Sequence, residues 1–171
     1  MSQTSQTEFR SLMAGFPTGV AVATAFDVTG RPRGMTCSSL CSVVLDPPTL
    51  LICMRHGSAT LEAVEGRRAF AVNVLHGGGQ PVAELFASGA PDRFDRVSWT
   101  TPPAACGPHL PDAAQSVADC EAVRTERIGD HTVVFGEVLG VTSYPSDDGP
   151  LLYGLRRYAT WPPSRPAVSA G

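Results

Sequence analysis

The hydrophobic pattern of the chain is mostly that of short strands, with helical spacing in three windows. Thr7 to Phe16 predicts a first helix, with Phe9, Leu12, Met13 and Phe16 on one face, stopped by Pro17. "TGVAVATAFDVTG" alternates and is rich in β-branched residues, then turns at "TGRPRG". Gly34 to Leu45 predicts one returning strand, so the pair reads as a hairpin with a glycine-bearing loop. "DPP" ends that strand and "TLLICM" is the next. In "SATLEAVEGRR", Leu61 and Val64 face one way and Glu62, Glu65 and Arg68 the other, as on a helix. "AFAVNVL" reads as a buried strand, and "GGGQPVAELFASG" as a glycine loop entering a short helix. The Pro-rich run "PDRFDRVSWTTPPAACGPHLPDA" reads as a surface segment, a candidate lid. Two strands follow at about Ser116–Arg127 and Thr132–Tyr144, joined by the tight turn "IGDH". "PLLYGLRRYATW" supplies a last short strand.

About six strands in a single domain, mostly joined as hairpins, predict a mainly β fold: a closed or split antiparallel β-barrel with a few peripheral helices. Seventeen glycines and fifteen prolines in 171 residues accord with many turns between short elements. The domain is expected over residues 1–171, with its core at about 7–161 and a frayed tail at 162–171. Strands do not alternate with long helices and no G-x-G-x-x-G follows a strand, which argues against a parallel dinucleotide fold. The net charge of −3 is interspersed, and no basic stripe accompanies aromatic platforms, so nucleic acid is not an expected partner. No 18-residue apolar run and no signal-like N-terminus occur, so no membrane contact is expected. Five cysteines, an odd count, fit reduced thiols in a cytoplasmic protein.

Three chemistries compete for "GMTCSSLCSVVLDPP". Cys37 and Cys41 lie four apart on an expected strand, roughly 13 Å at ~3.3 Å per residue, too far to share a metal. They read instead as small core thiols. A triad of Ser38 or Ser39 with His131 and Asp130 lacks the G-x-S-x-G elbow that exposes a nucleophile. The third reading is an anion site. Thr36, Ser38 and Ser39 are hydroxyls in an apolar strand, and Arg55, Ser58 and Thr60 follow the next strand at a helix start. Helix N–H groups and a guanidinium suit a phosphate dianion, although Ser58 is equally placed to cap the helix from Ala59.

Six segments together resemble the short-chain flavin reductases, the flavin-reductase-like family built on an FMN-binding split barrel. They are "FPTGVAVAT", "GMTCSSLCSVVLDPP", "SATLEAVEGRRAFAVNVL", "LFASGAPDRFDRVSW", "IGDHTVVFGEV" and "PLLYGLRRYA", in order along nearly the whole chain. The resemblance implies a homodimer with a flavin groove near the subunit interface. It also implies a reductase component that supplies reduced flavin to a separate flavin-dependent monooxygenase. By the same resemblance, Pro17 and Thr18 lie near the flavin ring, and Thr36, Cys37, Ser38 and Ser39 border the isoalloxazine and ribityl chain. Cys53, Met54, Arg55, Ser58 and Thr60 surround the ribityl phosphate. Asn73 is a flavin contact or a core amide, and Arg93 reaches the phosphate or pairs with Asp92 or Asp95. His131 stands beside the flavin where the nicotinamide stacks, and Tyr158 packs near that pocket. "FDRVSW" and "TTPPAACGPHL" depart most from the family pattern.

The implied reaction is hydride transfer from NADH or NADPH to a flavin, for which no acid–base dyad is required. FMN is the first expectation, because one arginine and two hydroxyls match a single phosphate; FAD and riboflavin are the alternatives. A flavin-binding oxidase or flavin-binding module on the same barrel is the competing function.

Overall fold

The computed structural model describes residues 4–161, so the expected tail at 162–171 lies outside the described residues. The elements are α1 (Gln6–Ala14), β1 (Thr18–Gly19), β2 (Ala21–Phe26), β3 (Pro32–Cys37), β4 (Cys41–Leu45) and β5 (Pro48–Arg55). They continue with α2 (Ala59–Arg67), β6 (Ala69–Leu75), α3 (Gln80–Ala87), β7 (Ala114–Ile128), β8 (His131–Ser143), β9 (Leu151–Gly154) and β10 (Arg157–Thr160). The fold is mainly β, in two antiparallel sheets: a seven-stranded one ordered β3-β2-β6-β7-β8-β5-β4 and a three-stranded one ordered β1-β9-β10. Ten strands thus replace the expected six. No backbone ladder joins β3 to β4, so the large sheet is not closed into a barrel.

Burial on both faces explains the reading of β2. Ala21, Ala23 and Ala25 enter one core cluster with Ile52, Met54, Leu61, Val64 and Phe70. Val20 and Val22 enter the other, with Leu75, Phe86, Leu110 and Leu151. Alanine on the first face leaves room for α2, whose Leu61 and Val64 are buried while Glu62 and Glu65 stay in water. Each such large apolar side chain contributes about 1.5–3 kcal/mol. The β2–β3 hairpin turns through Gly30 at φ 84°, and the Asp27 carboxylate accepts from the backbone N–H of Thr29 and of Arg31. Those bonds, with the Thr29 hydroxyl and Arg33, hold the Asp27 carboxyl well below its usual range. Gly34 of β3 lies under Phe86 of α3: a Cβ there would come within 2.8 Å of that ring.

Three expectations need correction. The predicted strand Gly34–Leu45 breaks at Ser38–Leu40, leaving Cys37 buried and Cys41 exposed, so they do not share a face. Ser38 and Ser39 therefore sit in a bend and not within a strand. The Pro-rich segment is no lid either, because Phe94, Pro108, His109 and Leu110 are buried. His109 Nε2 lies 3.0 Å from Asp119 Oδ2 and its Nδ1 3.1 Å from the Tyr144 hydroxyl; the Cys106 N–H donates to Asp119 at 2.6 Å. Pairing of this kind leaves no buried polar side-chain atom without a partner among the described residues. No helix among them is long and apolar enough to cross a membrane.

Asn73 belongs to this scaffold. Wholly buried in β6, its amide donates to the carbonyls of Val22 and Pro108 and to the Thr24 hydroxyl, at 3.1–3.2 Å, and accepts from the Leu110 N–H at 2.8 Å. All its polar valences are spent tying β2 and the Pro-rich segment to β6, so the expectation of a flavin contact is corrected to a core amide. Asn73→Ala strands the Leu110 N–H and leaves the Pro108 carbonyl with the Thr24 hydroxyl alone, and urea unfolding should show a loss of about 1–3 kcal/mol. The cysteines give a second check. Burial pushes the Cys37 and Cys120 thiols up to about 12, whereas Cys41 is exposed. Iodoacetamide at mild alkaline pH should modify Cys41 in the native protein, and Cys37 and Cys120 only after denaturation.

Candidate functional site

The break after β3 creates the site. Ser39 turns its hydroxyl onto β5, accepting from the Cys53 N–H at 2.9 Å and donating to the Cys53 carbonyl at 3.3 Å. One side chain thus satisfies both backbone groups where β4 has already left the ladder, which ends at Cys41↔Leu51. Above this bend opens a cleft of about 540 Å³, within the ~300–1,000 Å³ range typical of small-molecule sites. Thr18, Ser38 and Ser39 give it hydroxyls; Met13, Phe16, Tyr153 and Leu155 give it apolar walls; Arg10 and Arg156 give it cations. A smaller recess of about 130 Å³ shares Ser38 and Tyr153 with it and adds Thr36, Cys37 and Tyr158. Tyr153 and Tyr158 face each other across the β9–β10 hairpin with ring centroids 5.0 Å apart. Burial is the main cause that pushes the Tyr158 hydroxyl above its ordinary pKa, with Glu84 adding to it.

Beyond Cys53, the outward face of β5 carries Arg55. The register places Val133 opposite Cys53 and His131 opposite Arg55 on β8. His131 opens β8 after the turn at Gly129 (φ 59°), is exposed, and holds Asp130 Oδ1 at 2.8 Å from its Nδ1. That bond, with the charges of His131 and Arg55, lowers the Asp130 carboxyl. Ser39, Cys53, Arg55 and His131 are therefore joined through one hydroxyl bond and one ladder, and form a continuous track leading from the cleft.

The sequence-derived residues divide cleanly. Thr18, Thr36, Cys37, Ser38, Ser39 and Tyr158 come together around the cleft and its recess. Pro17 lines an adjoining apolar hollow of about 270 Å³. The Thr36 hydroxyl donates to the Ala83 carbonyl at 2.6 Å, so it also fastens α3 to β3. Ser58 caps α2, accepting from the Leu61 N–H at 3.3 Å. Four assignments fail on burial or position. Met54 and Thr60 are buried, at 0% and 2% exposure, so neither side chain is presented to a phosphate. Asn73 is the core amide described above. Arg93 neither lines the cleft nor pairs with Asp92 or Asp95; it lies 5.9 Å over the Phe86 ring and donates to the Ala90 carbonyl. Cys37 contributes a wall with its thiol buried. For the serine triad, Asp130 and His131 do pair, but the Ser39 hydroxyl is occupied by β5.

Arg10, Met13, Phe16, Tyr153, Leu155 and Arg156 were missed. Nothing local marks them: "PLLYGLRRYA" has the pattern of one strand, and Tyr153, Leu155 and Arg156 reach the cleft only because the chain turns at Leu155–Arg156. Hairpin β9–β10 brings the turn back over the cleft instead.

Comparison with known proteins identifies the family. The family described as "Flavin reductase like domain" matches residues 13–162. A protein of Lentzea aerocolonigenes named flavin reductase (NADPH) is 48% identical over 156 residues, 91% of this chain and 90% of that protein. One of Kitasatospora aureofaciens named flavin reductase (NADH) is 41% identical over 154 residues, 90% and 81% of the two chains. Among solved structures, the NADH:FAD oxidoreductase of Streptomyces globisporus, in complex with NAD and FAD fragments, superposes with a TM-score of 0.84 at 31% identity, covering 96% of this chain and 99% of that one. With six segments in register, a matching two-sheet fold and this extent of similarity, the chain belongs to the flavin reductase-like domain family.

Proposed function

We propose that the protein is an NAD(P)H:flavin oxidoreductase that takes a hydride from NADH or NADPH to FMN or FAD. The observation that carries this reading is the cleft over the Ser38–Ser39 bend, lined by hydroxyls together with aromatic and aliphatic side chains, with the exposed Arg55 on the track that leads from the bend. Such a donor set suits a flat heterocycle bearing a polyol and a phosphate. The flavin supplies the electron-accepting ring, so the protein needs to position two rings and no more.

Each residue group has a task in that positioning. Ser38 and the backbone of the bend supply polar contacts at the rim, and Ser39, by gripping Cys53, keeps the bend rigid. Tyr153, Tyr158 and Phe16 supply apolar surface and exclude water. Arg55, exposed beyond Cys53 on the free face of β5, is the cation for a phosphate, with the α2 N-terminus beside it. His131, opposite Arg55, meets the nicotinamide carboxamide and steadies the ring for in-line delivery. The hydride leaves C4 of the nicotinamide with its electron pair and bonds to flavin N5, so no protein group need gain or lose a proton.

The finer reading is a split barrel in which the Ser39–Cys53 bond closes the gap between β3 and β5. It acts as a homodimer and delivers reduced flavin to a separate monooxygenase. Exposed Phe9, Leu12 and Met13 on α1 and Phe16 just after it, with Val43, Val44 and Leu45 on the edge strand β4, are apolar surface that a second copy would cover. The relatives support the delivery step by name: a styrene monooxygenase flavin reductase from Pseudomonas putida is among the structural neighbours, at a TM-score of 0.80 and 30% identity. The reaction belongs in the cytoplasm, where reduced nicotinamide is available.

Loss of NADH or NADPH absorbance with FMN, FAD and riboflavin in turn tests the activity; no flavin-dependent oxidation above background overturns it. Binding of flavin without that oxidation leaves a flavin-binding module. His131→Ala should slow hydride transfer at least about tenfold in stopped-flow while flavin affinity holds. Unchanged kinetics return His131 to an ordinary turn residue.

A further inference from the structure

The β9–β10 turn is built against local preference. Leu155 and Arg156 are its two central residues, between the paired Gly154 and Arg157, and both have positive φ, 50° and 61°. A two-residue turn of this kind favours Asn-Gly, because side chains strain the left-handed region. The surroundings hold it in place. The Leu155 N–H donates to the Ala14 carbonyl at the end of α1 at 2.7 Å, and Gly154 lies so close to Pro17 that a Cβ would meet it at 3.0 Å. Strain that persists because its neighbours over-determine it is a mark of a functional position.

The result is a guanidinium at the cleft. Arg156 lines it, and so does Arg10 from α1, the helix whose last turn grips Leu155. No carboxylate lines the cleft, and neither arginine is ion-paired among the described residues; Arg10 reaches only the Gln6 amide, at 3.5 Å. Arg55, on the β5 track, is not among the residues that line this cleft, so the two arginines are cations separate from it. The site thus has a cationic pole beyond the one a flavin mononucleotide phosphate needs.

We infer that Arg10 and Arg156 form a second anion subsite for the diphosphate bridge of a dinucleotide, and that the left-handed turn exists to present Arg156 to it. The inference rests on the flavin reductase reading above and adds the ligand class, with FAD or NAD(P)H as the two sources of that diphosphate. Where that diphosphate is FAD's, the flavin preference moves away from FMN, which carries one phosphate only.

Arg156→Gly separates function from folding, since glycine enters the left-handed region freely. Its Tm should equal the parent's or exceed it by up to about 2–4 °C. If the diphosphate is FAD's, FAD affinity by fluorescence quenching should fall about 10- to 100-fold, with FMN and riboflavin affinities unchanged. If it is NAD(P)H's, the KM for NAD(P)H should rise by a similar factor, with flavin affinities and the KM for reduced nicotinamide mononucleotide unchanged. Arg10→Ala should reproduce the same ligand selectivity, and Arg156→Lys should restore part of the loss. A loss shared by FMN or riboflavin, or no change for either dinucleotide, overturns the inference alone. Absence of flavin binding by the parent protein overturns the reductase reading and this inference with it.

Discussion

The Ser39 hydroxyl accepts from the Cys53 N–H and donates to the Cys53 carbonyl, standing in for a backbone partner at the point where β4 has left β5. Without that substitution the edge of β5 would be bare and the chain between β3 and β4 would have no fixed path. With it, Ser38 faces the cleft, Cys37 turns into the core, and the outward face of β5 continues to Arg55 and His131. A backbone segment of irregular conformation is normally a surface loop. Here it becomes a rigid wall because a side chain completes the hydrogen bonding that a strand would have supplied.

Two further polar networks do comparable work behind the site. Asn73 joins β6, β2 and the Pro-rich segment through four bonds, and His109 joins the same segment to Asp119 and Tyr144. Satisfied buried polar groups specify a single arrangement where apolar packing would tolerate several. The long irregular stretch from Pro91 to Asp112 is thereby held as firmly as the strands it covers.

Much of this was legible in the letters. The α2 face, the β2–β3 hairpin, the β7–β8 pair and its tight turn all follow from period and turn chemistry. The bend at Ser38–Leu40 did not, because "MTCSSLCSVV" alternates as a strand does; the break depends on a contact with a residue 14 positions on. The resemblance assigns whole segments to the phosphate, and so includes Met54 and Thr60, whose side chains are buried. On β5 alternate residues face opposite sides, so Cys53 and Arg55 share a face that Met54 cannot. Thr60 sits on the core face of α2, two residues after the capping Ser58. Arg10 and Arg156 escaped notice since nothing local marks them; only the grip of α1 on the β9–β10 turn brings them to one cleft.

That helix has a thermodynamic character of its own. α1 buries none of its residues, and nine residues with a good capping box are too few to be stable alone in water. Its hold on the rest of the chain runs through its last turn, to the hairpin that it helps to shape. One wall of the cleft therefore has a low local opening free energy, and any occupant spends part of its binding free energy on ordering that wall.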